Sequence, residues 1–190
     1  MRCWSFWGWH ERVRHASLDS VGHGAGLMDR ILISACLVGR PVRWNGKAKT
    51  LGGDWIARWQ EEGRLVPACP ELLGGLPVPR APAEIEPGGD AEAVWSGQAR
   101  ILEPNGRDVT GQFLDGAVAT LALAEKEGCR FALLTQASPS CGVGLVHDGH
   151  FAGVRIAGFG VAASLLQARG LLVFPEERVE DLATALSMAG

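Results

Sequence analysis

Three cysteines share one local setting. Cys36 follows the apolar run Ile31–Ala35, Cys69 follows Leu65–Ala68, and Cys141 follows Phe131–Thr135 through Ser138-Pro139-Ser140. Each lies in a loop with glycine or proline nearby. In an open α/β sheet, loops at the carboxyl ends of the strands converge on the ligand site. Three thiols distant in sequence are therefore expected at one rim. Such a set admits several chemistries. The plainest is three separate buried cysteines. A zinc site lacks the usual CxxC pair or a suitably placed histidine. An iron–sulfur cluster is normally held by four cysteines; three would leave one iron open to a substrate atom. Without metal, Cys141 could serve as a nucleophile with Glu71 or a histidine as partner; a cluster could equally serve a non-catalytic sensor or binding protein.

The neighbouring polar residues favour a site over bare packing. Cys69-Pro70-Glu71 sets a carboxylate two residues from a candidate ligand. The stretch from Gly74 to Glu84 is rich in proline and glycine and carries Arg80 and Glu84. Prolines fix the backbone and glycines permit close approach, so this loop is shaped for something. The alternative is that Arg80 and Glu84 pair with each other on the surface. Ser138 and Ser140 flank Pro139 just before Cys141; as plain turn residues they would bond their own backbone. Cys129 opens its strand and belongs at the opposite end of the sheet, as a small buried hydrophobe.

The elements that must position these groups are short and regular. Ile31–Ala35, Leu65–Val66, Phe131–Leu134 and Leu171–Phe174 read as buried strands. Asp54–Glu62 reads as a helix capped by Asp54, with Trp55, Ile56 and Trp59 on one face. A loop is expected from Pro70 to Pro87, and a strand or ribbon over Val94–Leu102 leading into the turn Pro104-Asn105-Gly106. The strongest helix opens at Asp108 or Thr110 and ends at Gly128, with Phe113, Leu114, Ala117, Val118, Leu121 and Ala122 at three- and four-residue steps. His147-Asp148-Gly149-His150 reads as a hairpin or tight turn. Helices follow over Gly160–Arg169 and Val179–Met188. Strands alternating with helices predict an α/β fold: a compact Rossmann-like parallel sheet with helices on both faces, and cysteine-bearing loops at the strand C-terminal ends.

Composition sets the outer bounds. The chain has 190 residues, 47% hydrophobic and 21% charged, which suits one globular domain. Its formal net charge is −3, against the basic balance expected of a duplex-DNA binder. No apolar run approaches the ~20 residues that cross a bilayer. Five cysteines are too few and too odd in number for a disulfide scaffold, which points to the reducing cytoplasm. Residues 1–27 hold three of the seven tryptophans without any sustained period; they are expected to be a poorly ordered tail, with Met28 the natural start of a domain over 28–190.

Taken together, SACLVG (34–39), CPELLGGLPVPRAPAE (69–84), DVT (108–110), SPSCG (138–142) and HDGHF (147–151) resemble the thiouracil desulfurase family. The resemblance runs from Ile31 to about Phe174. It implies a [4Fe–4S] cluster held by Cys36, Cys69 and Cys141, with the fourth iron free to take the sulfur of a thiolated pyrimidine. It implies loss of that sulfur as sulfide, with Glu71 as acid/base and a serine assisting: Ser138 first, Ser34 behind it. The implied partner is a small thiolated nucleobase or nucleoside, contacted by Ser34, Trp44, Arg80, Glu84 and Ser140. Three stretches differ from the usual family pattern. Val42-Arg43-Trp44-Asn45-Gly46 stands where C-R-Y-D-G is common, Gln136 where a lysine is common, and HDGHF where Y-D-G-T-F is common. None removes a cysteine of the set or Glu71, and Trp44 and Gln136 are expected at the pocket, where they bear on substrate preference.

Overall fold

The computed structural model describes residues 28–189; the tail expected over 1–27 lies outside them. The chain begins with a β-α-β unit: β1 (Arg30–Ser34), α1 (Asp54–Glu61) and β2 (Leu65–Ala68). Next come α2 (Pro70–Leu73), β3 (Glu84–Ile85), α3 (Ala91–Trp95) and β4 (Ile101–Leu102). The long helix α4 (Thr110–Lys126) leads to β5 (Cys129–Leu134). The hairpin β6 (Val143–His147) and β7 (Arg155–Phe159) precedes α5 (Val161–Ala168), β8 (Leu172–Pro175) and α6 (Val179–Ala189).

The predicted parallel sheet is present, in the order β2-β1-β5-β8. Alternate residues point to opposite faces, and both faces are covered. Leu32, Ala132 and Leu134 pack with Leu121 and Ala124 of α4 and with Ala163 and Leu166 of α5. Ile31, Ile33, Phe131 and Leu133 pack with Ile56 and Trp59 of α1 and with Leu182 and Leu186 of α6. This is why the strands read as unbroken apolar runs rather than alternating ones. Ile31, Leu32, Ile33 and Leu133 are fully buried, each contributing roughly 1.5–3 kcal/mol. The sheet is thus a firm base for the loops above it. From β1 the chain moves outward to β2, then returns to place β5 on the other side of β1. The order reverses between β1 and β5, and a ligand site is expected above that point.

Several elements differ from the sequence expectation. Residues 70–87 contain α2 and β3 rather than an unbroken loop. Over Val94–Leu102 the chain finishes α3, turns, and enters β4. Two-residue strands are too short to show a period, and α3 is marked only by Asp90, whose side chain accepts the Ala93 amide at 2.8 Å. Asp54 is inside its helix rather than capping it; Gly53 holds the cap position with no side-chain bond. Trp55 is half-exposed and stacks on the buried Trp59, ring centres 5.8 Å apart. On α4, Val118 and Ala122 face solvent, while Gly116, Thr120 and Ala124 join the core. Thr120 can be buried because its hydroxyl donates to the Gly116 carbonyl at 2.7 Å.

Two glycines fix α2. A Cβ built on Gly74 would lie 1.9 Å from the Gln112 carbonyl oxygen, and one on Gly116 would lie 2.0 Å from that of Pro70. The backbones of α2 and α4 touch with no side chain between them. No described helix is long and apolar enough to cross a membrane.

Candidate active site

Above the switch point lies a cavity of about 650 Å³. Cys36, Cys69 and Cys141 all line it. Cys36 sits in a 3-10 turn, Ala35–Val38, directly after β1. Cys69 is the single residue between β2 and α2. Cys141 sits in the turn closed by the Gly142 amide on the Ser138 carbonyl, 2.9 Å. Cys129 starts β5 and is buried in the core beside Leu121 and Ala124. The rim expected from three strand ends is therefore real, and the fourth described cysteine stands outside it.

The donor set fits a thiolate-binding cationic group. Burial pushes the Cys36 thiol up to about 11, and the neighbouring Cys69 pushes the same way. Burial also raises Cys69. Cys141, fully buried, is raised well above its usual value, with Cys69 and Cys36 among the causes. Thiols held protonated chiefly by burial, as all three are, are poor free nucleophiles. A bound metal supplies the charge that removes their protons. Among the described residues, no three His, Cys, Asp or Glu side chains form a group that could hold a metal ion. Cys36, Cys69 and Cys141 are the residues that would hold an iron–sulfur cluster, a group bound by cysteine thiolates.

Glu71, on α2, faces the same cavity and is held on both oxygens. The Arg80 guanidinium pairs with Oε2, with Nε donating at 2.7 Å. Both terminal nitrogens of Arg80 donate to the Val42 carbonyl at 3.1 Å, and one also to Pro77. The Arg80 side chain is only 5% exposed. It does not make the surface pair with Glu84 considered from the sequence. Ser138 Oγ accepts the amides of Ser140 (3.0 Å) and Cys141 (3.2 Å), which directs its single proton to Glu71 Oε1 at 3.2 Å. One hydroxyl thus joins the carboxylate to the Cys141 turn.

The far wall is built from the short strands. Glu84 is buried and accepts the amides of Gly149 (2.9 Å) and Phe151 (3.1 Å), with His147 Nδ1 at 3.9 Å. Gly149 has φ +87°, and a Cβ there would strike the Ile85 carbonyl at 2.4 Å, so the turn read at 147–150 needs glycine. Trp44 sits on a turn closed by Gly46 N–H on Arg43 O, 2.8 Å, and lies half-exposed at the cavity. Ser34 is buried behind the rim, its Oγ accepting the Thr135 amide at 3.1 Å.

Of the residues expected to bind metal or substrate or to catalyse, all line the cavity except Ser140. Ser140 has no exposed surface, and its carbonyl accepts the Ala162 and Ala163 amides at the start of α5. The expectation that it contacts substrate is corrected: Pro139 turns the chain so that Ser140 faces α5. Sequence reasoning missed Lys49, Thr135 and Glu176. Glu176 is buried at the end of β8, pairs with Lys49, and accepts the Gln136 amide at 2.6 Å and the Thr135 hydroxyl at 3.3 Å. In sequence it reads as an acidic first-turn residue, and nothing there marks it as buried.

Comparisons with known proteins agree with this geometry. The 2-thiouracil desulfurase family model matches residues 31–178. YbbK of Bacillus subtilis (strain 168), an uncharacterized protein, is 42% identical over 152 residues, spanning 80% of this chain and 99% of its own. The solved structure of the [4Fe-4S]-dependent thiouracil desulfidase TudS is also 42% identical. It superposes with a TM-score of 0.76, over 84% of this chain and 99% of that one. With the match running from the first strand to the turn before the last helix, this chain belongs to the 2-thiouracil desulfurase family.

Proposed function

We propose that the domain over residues 28–190 removes sulfur from a thiolated pyrimidine, converting thiouracil to uracil and sulfide without net redox change. The observation that carries this is the meeting of three thiols, the buried Cys36 and Cys141 and the partly buried Cys69, with a doubly held carboxylate in one cavity. The three cysteines would hold a [4Fe–4S] cluster, as the desulfidase of similar structure depends on one. Such a cluster supplies a soft, electron-withdrawing centre for the thiocarbonyl sulfur.

The chain's own residues then divide the remaining work. Glu71 takes a proton from a water beside the thiocarbonyl carbon and later returns it to a ring nitrogen or to the departing sulfur. The balance is simple: water adds oxygen to the carbon, and hydrogen sulfide leaves. Arg80 fixes Oε2, so the working oxygen is Oε1, which faces Ser138 and the Cys141 turn. Ser138 donates to the carboxylate at rest and is placed to donate to oxygen as negative charge develops there. Trp44 offers a flat face for the pyrimidine ring at the cavity mouth, and Ser34 backs the rim. Glu84 shapes the opposite wall. A reducing cytoplasm would keep the three thiols available.

Glu71→Gln tests the assignment. It keeps the shape of the site, so iron content should match wild type, while thiouracil turnover falls by about 10²–10⁴-fold. Normal turnover in Glu71→Gln would remove Glu71 from the mechanism.

A further inference from the structure

The Cys141 loop is bent against its own preference. Ala137 has φ +61°, one of only two non-glycine residues with positive φ among those described. A side chain in that region is strained against its own backbone, and such a conformation persists only when its surroundings over-determine it. The kink matters because Ser138 follows directly and Cys141 lies three residues on. On the hairpin side the loop is tied by the Ala137 amide to the Leu145 carbonyl (3.1 Å) and by Gln136 Oε1 to the Val143 amide (3.2 Å). On the other side Ser34 Oγ accepts the Thr135 amide at 3.1 Å, and Glu176 makes the remaining ties. Glu176 Oε2 accepts the Gln136 amide at 2.6 Å, and its Oε1 takes the Thr135 hydroxyl and the Lys49 ammonium.

Lys49 brings in a second loop. Its amide donates to the Cys36 carbonyl at 3.0 Å, while its ammonium reaches Glu176 and, at 3.3 Å, Thr135 Oγ1. The Glu176 side chain is 5% exposed. It is a buried carboxylate whose bonds run to the segments behind two of the three cavity cysteines.

We infer that Glu176, neutralised by Lys49, is a positioning residue that holds the Ala137 kink and thereby sets Ser138 against Glu71 and Cys141 in the cavity wall. It acts through the loop and does not line the cavity. For its effect on turnover, the inference rests on the proposed desulfuration; its effect on the loop does not.

The test uses the iron-loaded full chain as wild type, Glu176→Gln, Glu176→Ala and Glu176→Ala with Ala137→Gly. Glu176→Gln retains an acceptor and removes the charge, so it guards against loss of folding. Lys49 is 39% exposed and can turn to water when its partner goes. Amide exchange at Gln136 and Ala137 should rise about tenfold or more in Glu176→Ala and less in Glu176→Gln, with Phe131–Leu133 unchanged. The kcat on thiouracil should fall roughly 10–100-fold, with KM little moved, as expected for misplaced groups. Glycine accepts positive φ freely, so Ala137→Gly should recover at least about threefold of the lost kcat. A role in stability alone would lower the melting temperature without that rescue. Unchanged exchange at Gln136, or no rescue by glycine, would overturn the inference. If wild type itself turns over no thiolated pyrimidine, the functional reading fails, and the exchange data still decide for or against Glu176.

Discussion

Cys36, Cys69 and Cys141 hang from a four-stranded parallel sheet whose central strands have almost no exposed surface. Glu84, His147 and Phe151, across the same cavity, hang from two separate two-stranded ribbons. Each wall contains one strained non-glycine residue, Ala137 at φ +61° and Phe151 at +56°. Each strained residue is steadied by a buried glutamate: Glu176 bonds the amide just before Ala137, and Glu84 bonds the amide of Phe151 itself. The solutions match locally and differ in what lies beneath. The cysteine wall stands on a fully packed core, and chemistry there needs fixed geometry. The ribbon wall stands on loops and short pairs, which suits a surface that shapes the cavity rather than reacts. The expectation is that damage to the cysteine wall shows in iron or kcat, and damage to the ribbon wall shows in KM and stability.

The largest break short of removing a ligand is Gly116→Ala. Its Cβ would lie 2.0 Å from the Pro70 carbonyl, which is backbone and cannot rotate away. The helix carrying Glu71 must shift, at about 3 kcal/mol, or roughly 6–12 °C in Tm. Turnover should fall with it at temperatures where the protein stays folded. Gly111→Ala, on the same helix, meets nothing within 4 Å; it should match or exceed wild-type stability by up to about 1 kcal/mol and leave turnover alone. Thermal melts beside thiouracil kinetics check both. Equal behaviour of the two variants would refute the role given to the α2–α4 contact.

Glu84→Ala sharpens the other side. It leaves the Gly149 and Phe151 amides without their acceptor, for about 2 kcal/mol or roughly 4–8 °C. KM should rise several-fold, with iron content and kcat near wild type. Loss of iron in this variant would mean that the two walls are not independent.

How much of this the sequence disclosed follows the same division. The parallel strands were legible because burial on both faces leaves continuous apolar runs such as Ile31-Leu32-Ile33. The cysteines were legible because each follows such a run, and Glu71 because it adjoins one. The ribbons were legible only in outline, as a hairpin turn at 147–150 and a ribbon ending at Leu102: β3 and β4 are two residues long, and Val143–His147 has burial without alternation. Ser140 was misplaced because flanking a cysteine says nothing about direction once Pro139 turns the chain. Arg80 was found as a residue but not as a partner, since its ion pair with Glu71 spans nine positions of irregular loop. Glu176 depends wholly on tertiary packing, 40 residues from the amide that it holds.

The central claim is that three cysteines and no others hold a cluster. Iron and acid-labile sulfide per chain, after anaerobic purification and reconstitution, test it most directly in wild type, Cys141→Ala and Cys129→Ala. Wild type should carry about four of each, Cys129→Ala the same with a modest loss of stability, and Cys141→Ala neither. Absence of iron from reconstituted wild type, or its loss in Cys129→Ala with retention in Cys141→Ala, would contradict the account.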